Sequence, residues 1–559
     1  MGSPTLPSAA IFLLLLLLLS PFTLASPPSS TSIPDDSTLC LEAQLPGLTN
    51  NVQGAIQEFG RALSLVSTFV GLFGDRRLTS AIQDCVDLVD YSVDELNLVL
   101  TESNKANGSS TPVNKGPPSA HNLKTWLSAA LGNQDTCLDG FDGTDGSVKL
   151  LLQGTLQQVT GLVGNILDSV AQIPGVPPRS GGNRRLLALE QRPSSRSRRA
   201  GILKTGRPSL DPHQLLGHEV VDGFPSWLSA AERRLLQAPA PGVAANAVVA
   251  KDGSGNFLSV QEAVLAAPTK SASRYVIYVK QGTYYENVEI KKKKTNLMLV
   301  GDGMGVTIIS GNRSFIDGWT TFRSATFAVA GAGFIARDIT FENSAGPEKH
   351  QAVAARVDSD LSAFFRVSFV GYQDTLYAHS LRQFYRECQV YGTVDFIFGN
   401  GQVVFQNCLI VARKPLPDQK NSITAQGRKD PNQNTGFSLQ FCNITGDSQL
   451  VQSSTSTYSY LGRPWKPYSR TVIMQSYISG IVRPEGWLEW NGDLFLDTLY
   501  YAEYLNYGPG AALGGRVKWP GYHIISNPSE ALNFTVGQFL DGNNWLPTTG
   551  IRYTAGLST

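Results

Sequence analysis

The chain lacks a charge imbalance. Its 559 residues carry 46 Lys and Arg against 45 Asp and Glu, a net charge of +1, so no overall field draws it to nucleic acid or to an acidic surface. Beyond residue 19 it also lacks any apolar run long enough to cross a bilayer. The one early run, residues 11–19, is too short to span. It is followed by Ser20-Pro21 and the small-residue site Thr23-Leu24-Ala25, the pattern of a secretory signal peptide over residues 1–25. No Lys or Arg precedes that run, which leaves a retained signal anchor as the alternative. Cysteine is scarce. The six fall in two distant groups, Cys40, Cys85 and Cys137, then Cys388, Cys408 and Cys442, and in a secretory compartment up to three bridges would be open to them. Four N-glycosylation sequons, at Asn107, Asn312, Asn443 and Asn533, agree with secretion.

The first part of the chain is helical in pattern. Within residues 81–96, Ile82, Val86, Val89, Val93 and Leu96 recur at spacings of four and three, which places them on one stripe of an amphipathic helix. Residues 149–170 extend the pattern until Pro174, Pro177 and Pro178 end it. A helical bundle over residues 26–178 is the expectation. Residues 179–207 then carry nine Arg or Lys against the single acid Glu190, among Ser, Gly and Pro, the composition of an unstructured, protease-accessible linker. The tetrapeptide Arg-Arg-Leu-Leu occurs at 184–187 and again at 233–236. Arg184, Arg185, Arg233 and Arg234 therefore read as two dibasic processing sites, chance in an Arg-rich region being the bland alternative, and residues 179–246 as a processing region.

From Ala247 to the end, helical periodicity is scarce. Apolar runs of four to seven residues alternate with Gly, Asn, Asp and Ser, the mark of short strands and turns. Aligned by their first members, Ile339, Val367, Cys388, Cys408, Cys442 and Ser476 are separated by 28, 21, 20, 34 and 34 residues. A strand-and-turn repeat near 20 residues predicts a parallel β-helix whose coils stack on one another; a β-sandwich is the alternative. Stacked coils lie about 4.8 Å apart, within the span a disulfide needs. Cys388 and Cys408 can then bridge, and so can Cys408 and Cys442.

The same register pairs two carboxylates. Asp374 lies seven residues after Val367, and Asp395, inside the apolar run "GTVDFIFGN", lies seven after Cys388. Neighbouring carboxyls on adjacent coils cannot both ionise freely, so one is pushed toward the acid and the other stays anionic if a cation supports it. That division of labour suits covalent catalysis with acid assistance. The bland reading is an Asp stack that only ends strands or binds Ca²⁺. Three further groups favour chemistry: the amides of Gln373 and Gln351 as donors to an oxyanion, Arg463 as the supporting cation, and Trp465 as a flat platform for a sugar ring.

The motifs "GTYYENV", "QAVA", "GYQDTLY", "SLRQFYREC", "GTVDFIFGN" and "LGRPWKPYSRTV" occur in the order and spacing of plant pectinesterases (pectin methylesterases), which residues 247–559 closely resemble. The segments "AIQDCVDLVDYSVDELN" and "WLSAALGNQDTCLDGF" resemble the pectinesterase-inhibitor domain. The resemblance implies two domains: an all-α four-helix-bundle inhibitor-like pro-region, and an all-β right-handed parallel β-helix that removes methyl esters from cell-wall pectin. It further implies Asp395 as nucleophile, Asp374 as proton donor and then base, and Gln373 as transition-state stabiliser. Thr321, Gln351, Arg463 and Trp465 would contact substrate. Disulfides fall on Cys388–Cys408 and Cys85–Cys137. Secretion to the cell wall is implied, as are partners: methyl-esterified pectin, proteinaceous pectinesterase inhibitors and a processing protease. Cofactor and metal are not expected.

The chain departs from the family pattern in three places. Only Cys40 remains of the inhibitor fold's usual N-terminal pair, Gly401 follows "GN" where Ala is usual, and Val367 stands where many relatives have Cys. Two other functions compete. A pectin-cleaving β-helix glycosidase of the inverting kind needs carboxylates roughly 6.5–9.5 Å apart, wider than adjacent coils naturally give, and a lyase needs a Ca²⁺ carboxylate cluster that the sequence does not show. An inert inhibitor or binding protein is the non-enzyme alternative.

Overall fold

The computed structural model describes residues 36–104, 119–172, 220–221, 224–225, 244–453 and 457–558. The expected signal peptide, Asn107, Arg184, Arg185, Arg233 and Arg234 lie outside the described residues, as does most of the expected linker. Within that linker stretch, Val220–Val221 and Phe224–Pro225 pair antiparallel.

Four helices come first: α1 (Asp36–Ser67), α2 (Arg76–Ser103), α3 (Ala120–Asp139) and α4 (Ser147–Ala171). Asp75 starts α2 by accepting a hydrogen bond from the Leu78 amide at 2.7 Å, which satisfies one of the unpaired donors of the first turn. Ile82, Val89 and Leu96 are buried as the stripe predicts, while Val86 and Val93 are half-buried because the seam also takes in Cys85, Leu88 and Val99. The Cys85–Cys137 disulfide ties α2 to α3. Helix α2 also buries Asp84, Ser92 and Glu95. Polar groups at that depth need partners, and Asp84 and Glu95 find theirs in the second half of the molecule.

From Ala247 onward every paired strand among the described residues runs parallel, which removes the sandwich, an antiparallel architecture. The register matches the sequence repeat: Ile339 opposes Val367, and Ser368–Gln389, Gln389–Leu409, Leu409–Asn443 and Asn443–Tyr477 continue it one residue on. This parallel-sheet-rich region is consistent with a β-helix. One of its faces is a seven-stranded sheet: β1 (Val288–Ile290), β2 (Phe327–Val329), β3 (Ala355–Val357), β4 (Leu376–Tyr377), β5 (Ile397–Gly399), β6 (Asn421–Gln426) and β7 (Ser459–Gly462). Inside the coils, Phe364, Tyr385 and Phe405 stack with ring centroids 4.7 and 4.6 Å apart. At successive corners, Asp338, Arg366, Glu387, Asn407, Phe441 and Gln475 all have left-handed backbone (φ 51–57°). Each such residue turns the chain so that the next one, Ile339 through Ser476, faces the interior.

That inward column corrects one expectation. Cys388, Cys408 and Cys442 are free, buried thiols, and no Cys388–Cys408 bridge is present. The three occupy consecutive rungs, so Cys408 has a thiol on either side, and each sulfur is turned to backbone carbonyls. Cys388 Sγ lies 3.4 Å from the Phe364 and Arg386 oxygens, and Cys442 Sγ 3.5 Å from those of Phe405 and Gln440. They pack as small apolar side chains.

Candidate active site

Asp374 precedes β4 and Asp395 precedes β5. Because Leu376 opposes Ile397, the two aspartates stand at one register position on adjacent rungs, and the Asp374 amide donates to the Val394 carbonyl at 3.1 Å. Both have positive φ, 63° and 51°. An Asp tolerates this conformation better than most residues, and the pair forms a second column of corners that aims side chains out of the coil rather than along the strand. Phe396, directly after, is fully buried in the interior, whereas Phe398 lies on the cleft side, stacked on Tyr377 at 4.1 Å.

Arg463, at the end of β7, reaches back to Asp395 with both forks, Nε to Oδ1 at 2.8 Å and Nη2 to Oδ2 at 2.6 Å. A bidentate guanidinium occupies both carboxylate oxygens and fixes their plane. Burial would lower the Arg463 pKa, but its hydrogen bonds to Asp395 and the charges of Asp395 and Asp374 raise it instead. Trp490 backs this cation, its ring 4.5 Å from the Arg463 carbon. Asp374 has no such partner. Burial pushes its carboxyl well above the usual range, the Asp395 charge pushes it further, and Arg463 offsets part of the rise. One member of the pair is thus a held carboxylate and the other an acid, the separation that acid-assisted nucleophilic attack needs.

The other expected residues lie on the neighbouring rungs and loops. The Ala352 amide, next to Gln351, donates to the Gln373 carbonyl at 3.3 Å, so the two glutamines sit on neighbouring rungs on the approach to the aspartates. The Gln351 carbonyl in turn accepts from the Phe315 amide at 2.9 Å, in the loop that leads to Thr321, just ahead of β2. Trp465 lies with its ring against Gly427, where a Cβ would come within 2.8 Å of the indole, and 6.0 Å from Phe398. Among the sequons, Asn312 and Asn443 are exposed and Asn533 is half-buried.

The inhibitor-like resemblance of the N-terminal region leads to the expectation that it acts as an autoinhibitor or folding aid until proteolysis, but the particular contacts it makes with the sheet had no signal in the sequence. Helices α2 and α3 lie on the sheet, and one apolar cluster joins Leu88, Leu127 and Leu131 of the helices to Tyr377, Phe398 and Ala425 of the sheet and to Phe322 in the turn ahead of β2. Gly132 lets α3 come close, a Cβ there falling 3.1 Å from the Asn400 amide. Thr136 Oγ1 lies 2.8 Å from His379 Nε2, whose Nδ1 is 2.6 Å from Asp358. A small cavity lies between α3 and Tyr377, His379, Asn400 and Trp465. Asp374 and Asp395 are 7% and 6% exposed.

Comparison with known proteins agrees with this geometry. The family model "Pectinesterase" matches residues 246–543, and "Plant invertase/pectin methylesterase inhibitor" matches residues 32–168. The chain is 55% identical over 553 residues to the pectinesterase/pectinesterase inhibitor PPE8B of Prunus persica, covering 98% of this chain and 97% of that one. It is 52% identical to the probable pectinesterase/pectinesterase inhibitor 32 of Arabidopsis thaliana, over 93% and 92% of the two chains. Among solved structures, a pectin methylesterase from carrot aligns at 56% identity with a TM-score of 0.56, over 56% of this chain and 99% of its own. The chain belongs to the pectinesterase family, in the form that carries an inhibitor region ahead of the esterase.

Proposed function

We propose that the protein removes methyl esters from cell-wall pectin through Asp395 and Asp374. The observation that carries this assignment is the asymmetry of the pair: Arg463 forks Asp395, while buried Asp374 is left a proton. An Asp395 oxygen attacks the carbonyl carbon of a galacturonate methyl ester, and the C–OCH₃ bond breaks as Asp374 hands its proton to the departing methanol oxygen. The acyl-enzyme is an anhydride. Asp374, now a carboxylate, takes a proton from water as that water attacks the galacturonyl carbon, and Asp395 leaves as a carboxylate. Gln373 and Gln351 donate to the oxyanion, while Thr321, Arg463 and Trp465 contact the sugars. Adjacent rungs favour this route over inverting glycoside cleavage, which needs a wider carboxylate gap.

The helical region restrains this activity until it is cut away, a reading supported by α2 and α3 filling the cleft. On this view the chain comprises a signal peptide (1–25), a four-helix-bundle inhibitor-like domain (26–178), a processing region (179–246) and a right-handed β-helix (247–559). It is secreted to the cell wall and glycosylated at exposed sequons. Release of methanol from methylated pectin without shortening of the polymer tests the reaction, and chain cleavage without methanol would refute it. Asp395→Asn is expected to lose at least about a thousandfold in kcat while still binding pectin, as removal of a nucleophile does.

A further inference from the structure

The ion pairs between the helical region and the β-region run one way among the described residues. Every cation belongs to the β-region and every carboxylate to the helices. At one end of the sheet, Arg323 Nε lies 2.6 Å from Asp84 and its Nη2 also meets Asp87. Lys291 lies 3.8 Å from Asp87, and Lys292 lies 3.0 Å from Glu95 and 3.5 Å from Asp94. At the other end, Lys429 meets Asp135 at 2.8 Å and Lys466 meets Asp139 at 3.1 Å. Lys291 and Lys292 follow β1 and Arg323 precedes β2, while Lys429 and Lys466 follow β6 and β7. The two groups therefore flank the aspartate pair of β4 and β5 along the stacking direction.

The carboxylates met by Lys291, Lys292 and Arg323 form a stripe along one helix. Asp84 to Glu95 spans eleven residues of α2, about 16 Å along the axis, with acids on the face turned to the cations. Without α2, Lys291, Lys292 and Arg323 would be left with Glu289 as the near acid, while Lys294 is turned to the Leu265 and Ala267 carbonyls. Such a concentration of one sign repels itself and attracts a chain of opposite charge. A charge run is commonly only a solvated face. These cations are instead engaged by ordered carboxylates at both ends of a catalytic cleft.

We propose that Lys291, Lys292 and Arg323, with Lys429 and Lys466 at the far end, form a binding site for a de-esterified uronate stretch, and that the acids of α2 and α3 stand in for that stretch before the helices leave. Identifying the polyanion as polygalacturonate rests on the esterase reading above. The product is the polymer that carries a carboxylate where the substrate carried an ester, so the site would hold the enzyme on pectin it has already treated. It would also let acidic pectin compete with the helices for the same cations.

The test uses an unesterified α-1,4-galacturonate oligomer, which has no ester to hydrolyse, and a fully methyl-esterified oligomer of equal length. A chain starting at Ala247 is a fair host, since the carrot enzyme aligns over 99% of its length with 56% of this chain and so is a folded β-region of this kind. This β-region is expected to bind the unesterified oligomer, less tightly as salt rises, and the full-length protein to bind it at least about tenfold more weakly. Lys291→Gln with Lys292→Gln should weaken binding by roughly fivefold at low salt, and the paired Lys→Arg variant should restore it. Equal binding by the β-region and the full chain, equal binding of the two oligomers, or no loss in the Gln variant would each overturn the proposal. If the unmodified β-region releases no methanol from methylated pectin, it is the esterase reading that has failed, whatever the binding shows.

Discussion

Two arginine–aspartate contacts in this molecule look alike and differ in ownership. Arg463–Asp395 joins two rungs of the β-region, and both partners remain when the helices leave. Arg323–Asp84 joins the β-region to α2, so it exists only while the helices are docked. Both carboxylates are buried. Inside the β-region the pair sets up chemistry; across the interface the same chemistry makes a latch. Burial pushes Asp84 up to about 6 against the pull of Arg323, the Thr320 hydrogen bond and Arg356. Burial pushes Glu95 up to about 7 against Lys292, with Asp94 and Asp358 adding to the rise. The latch is thus poised near the pH where its acids change state.

The sharpest break in the comparison is Arg463→Lys. An ammonium cannot fork both Asp395 oxygens or lie flat on Trp490, so Asp395 loses its fixed plane. A fall in kcat of about a hundredfold is expected, with the fraction of helical region docked unchanged. The converse change, Arg323→Gln, leaves the Arg463–Asp395 fork untouched and should act on the latch. At pH 7 it leaves Asp84 buried without its cation, weakening docking by about 2 kcal/mol, roughly a 30-fold rise in the undocked fraction. Residual methanol release by the intact chain reports that fraction, and an unchanged residual rate would show that the apolar cluster alone holds the helices.

The two pairs were also unequally legible. Repeat spacing alone put Asp374 beside Asp395, because a β-helix converts equal offsets into contact. Arg463 is 68 residues from Asp395, so it could be named as a candidate cation, but the repeat spacing gave no reason to place it on Asp395 and the family resemblance carried that step. The left-handed corners that aim the aspartates left no mark, since an Asp in a strand-like run is compatible with either conformation. The same is true of Trp490. The docking surface was hidden for a different reason. Acids at 84, 87, 94 and 95 read as the solvated face of an amphipathic helix, and their partners lie 197 residues or more away. The run of four lysines was the available signal, and it acquires meaning only beside an acidic stripe. The cysteine column misled in the opposite direction: rung spacing permits a bridge but equally permits three thiols packed in a row.

The smallest expected effect concerns pH, and its sign follows from which state holds the proton. Burial lifts the carboxyl of Asp84 from 3.8 to about 6 and that of Glu95 from 4.5 to about 7, and docking completes that burial, so the docked form binds protons that the separated form gives up. The contribution is fully present below about pH 4 and is lost as pH rises through 6 to 7. Only part of each shift belongs to docking, because the helices themselves already surround these groups; Asn133 of α3 donates to Glu95 at 3.2 Å. A net loosening of roughly tenfold between pH 5 and pH 7 is therefore expected. It should be visible as a rising affinity constant on acidification when the two cleaved halves are titrated together. Glu95→Gln, which keeps the hydrogen-bonding shape and removes the titration, should flatten the pH 6–7 part of that curve. A Glu95→Gln curve as steep as the parent's would place the proton elsewhere in the interface, with Asp84 the next group to examine.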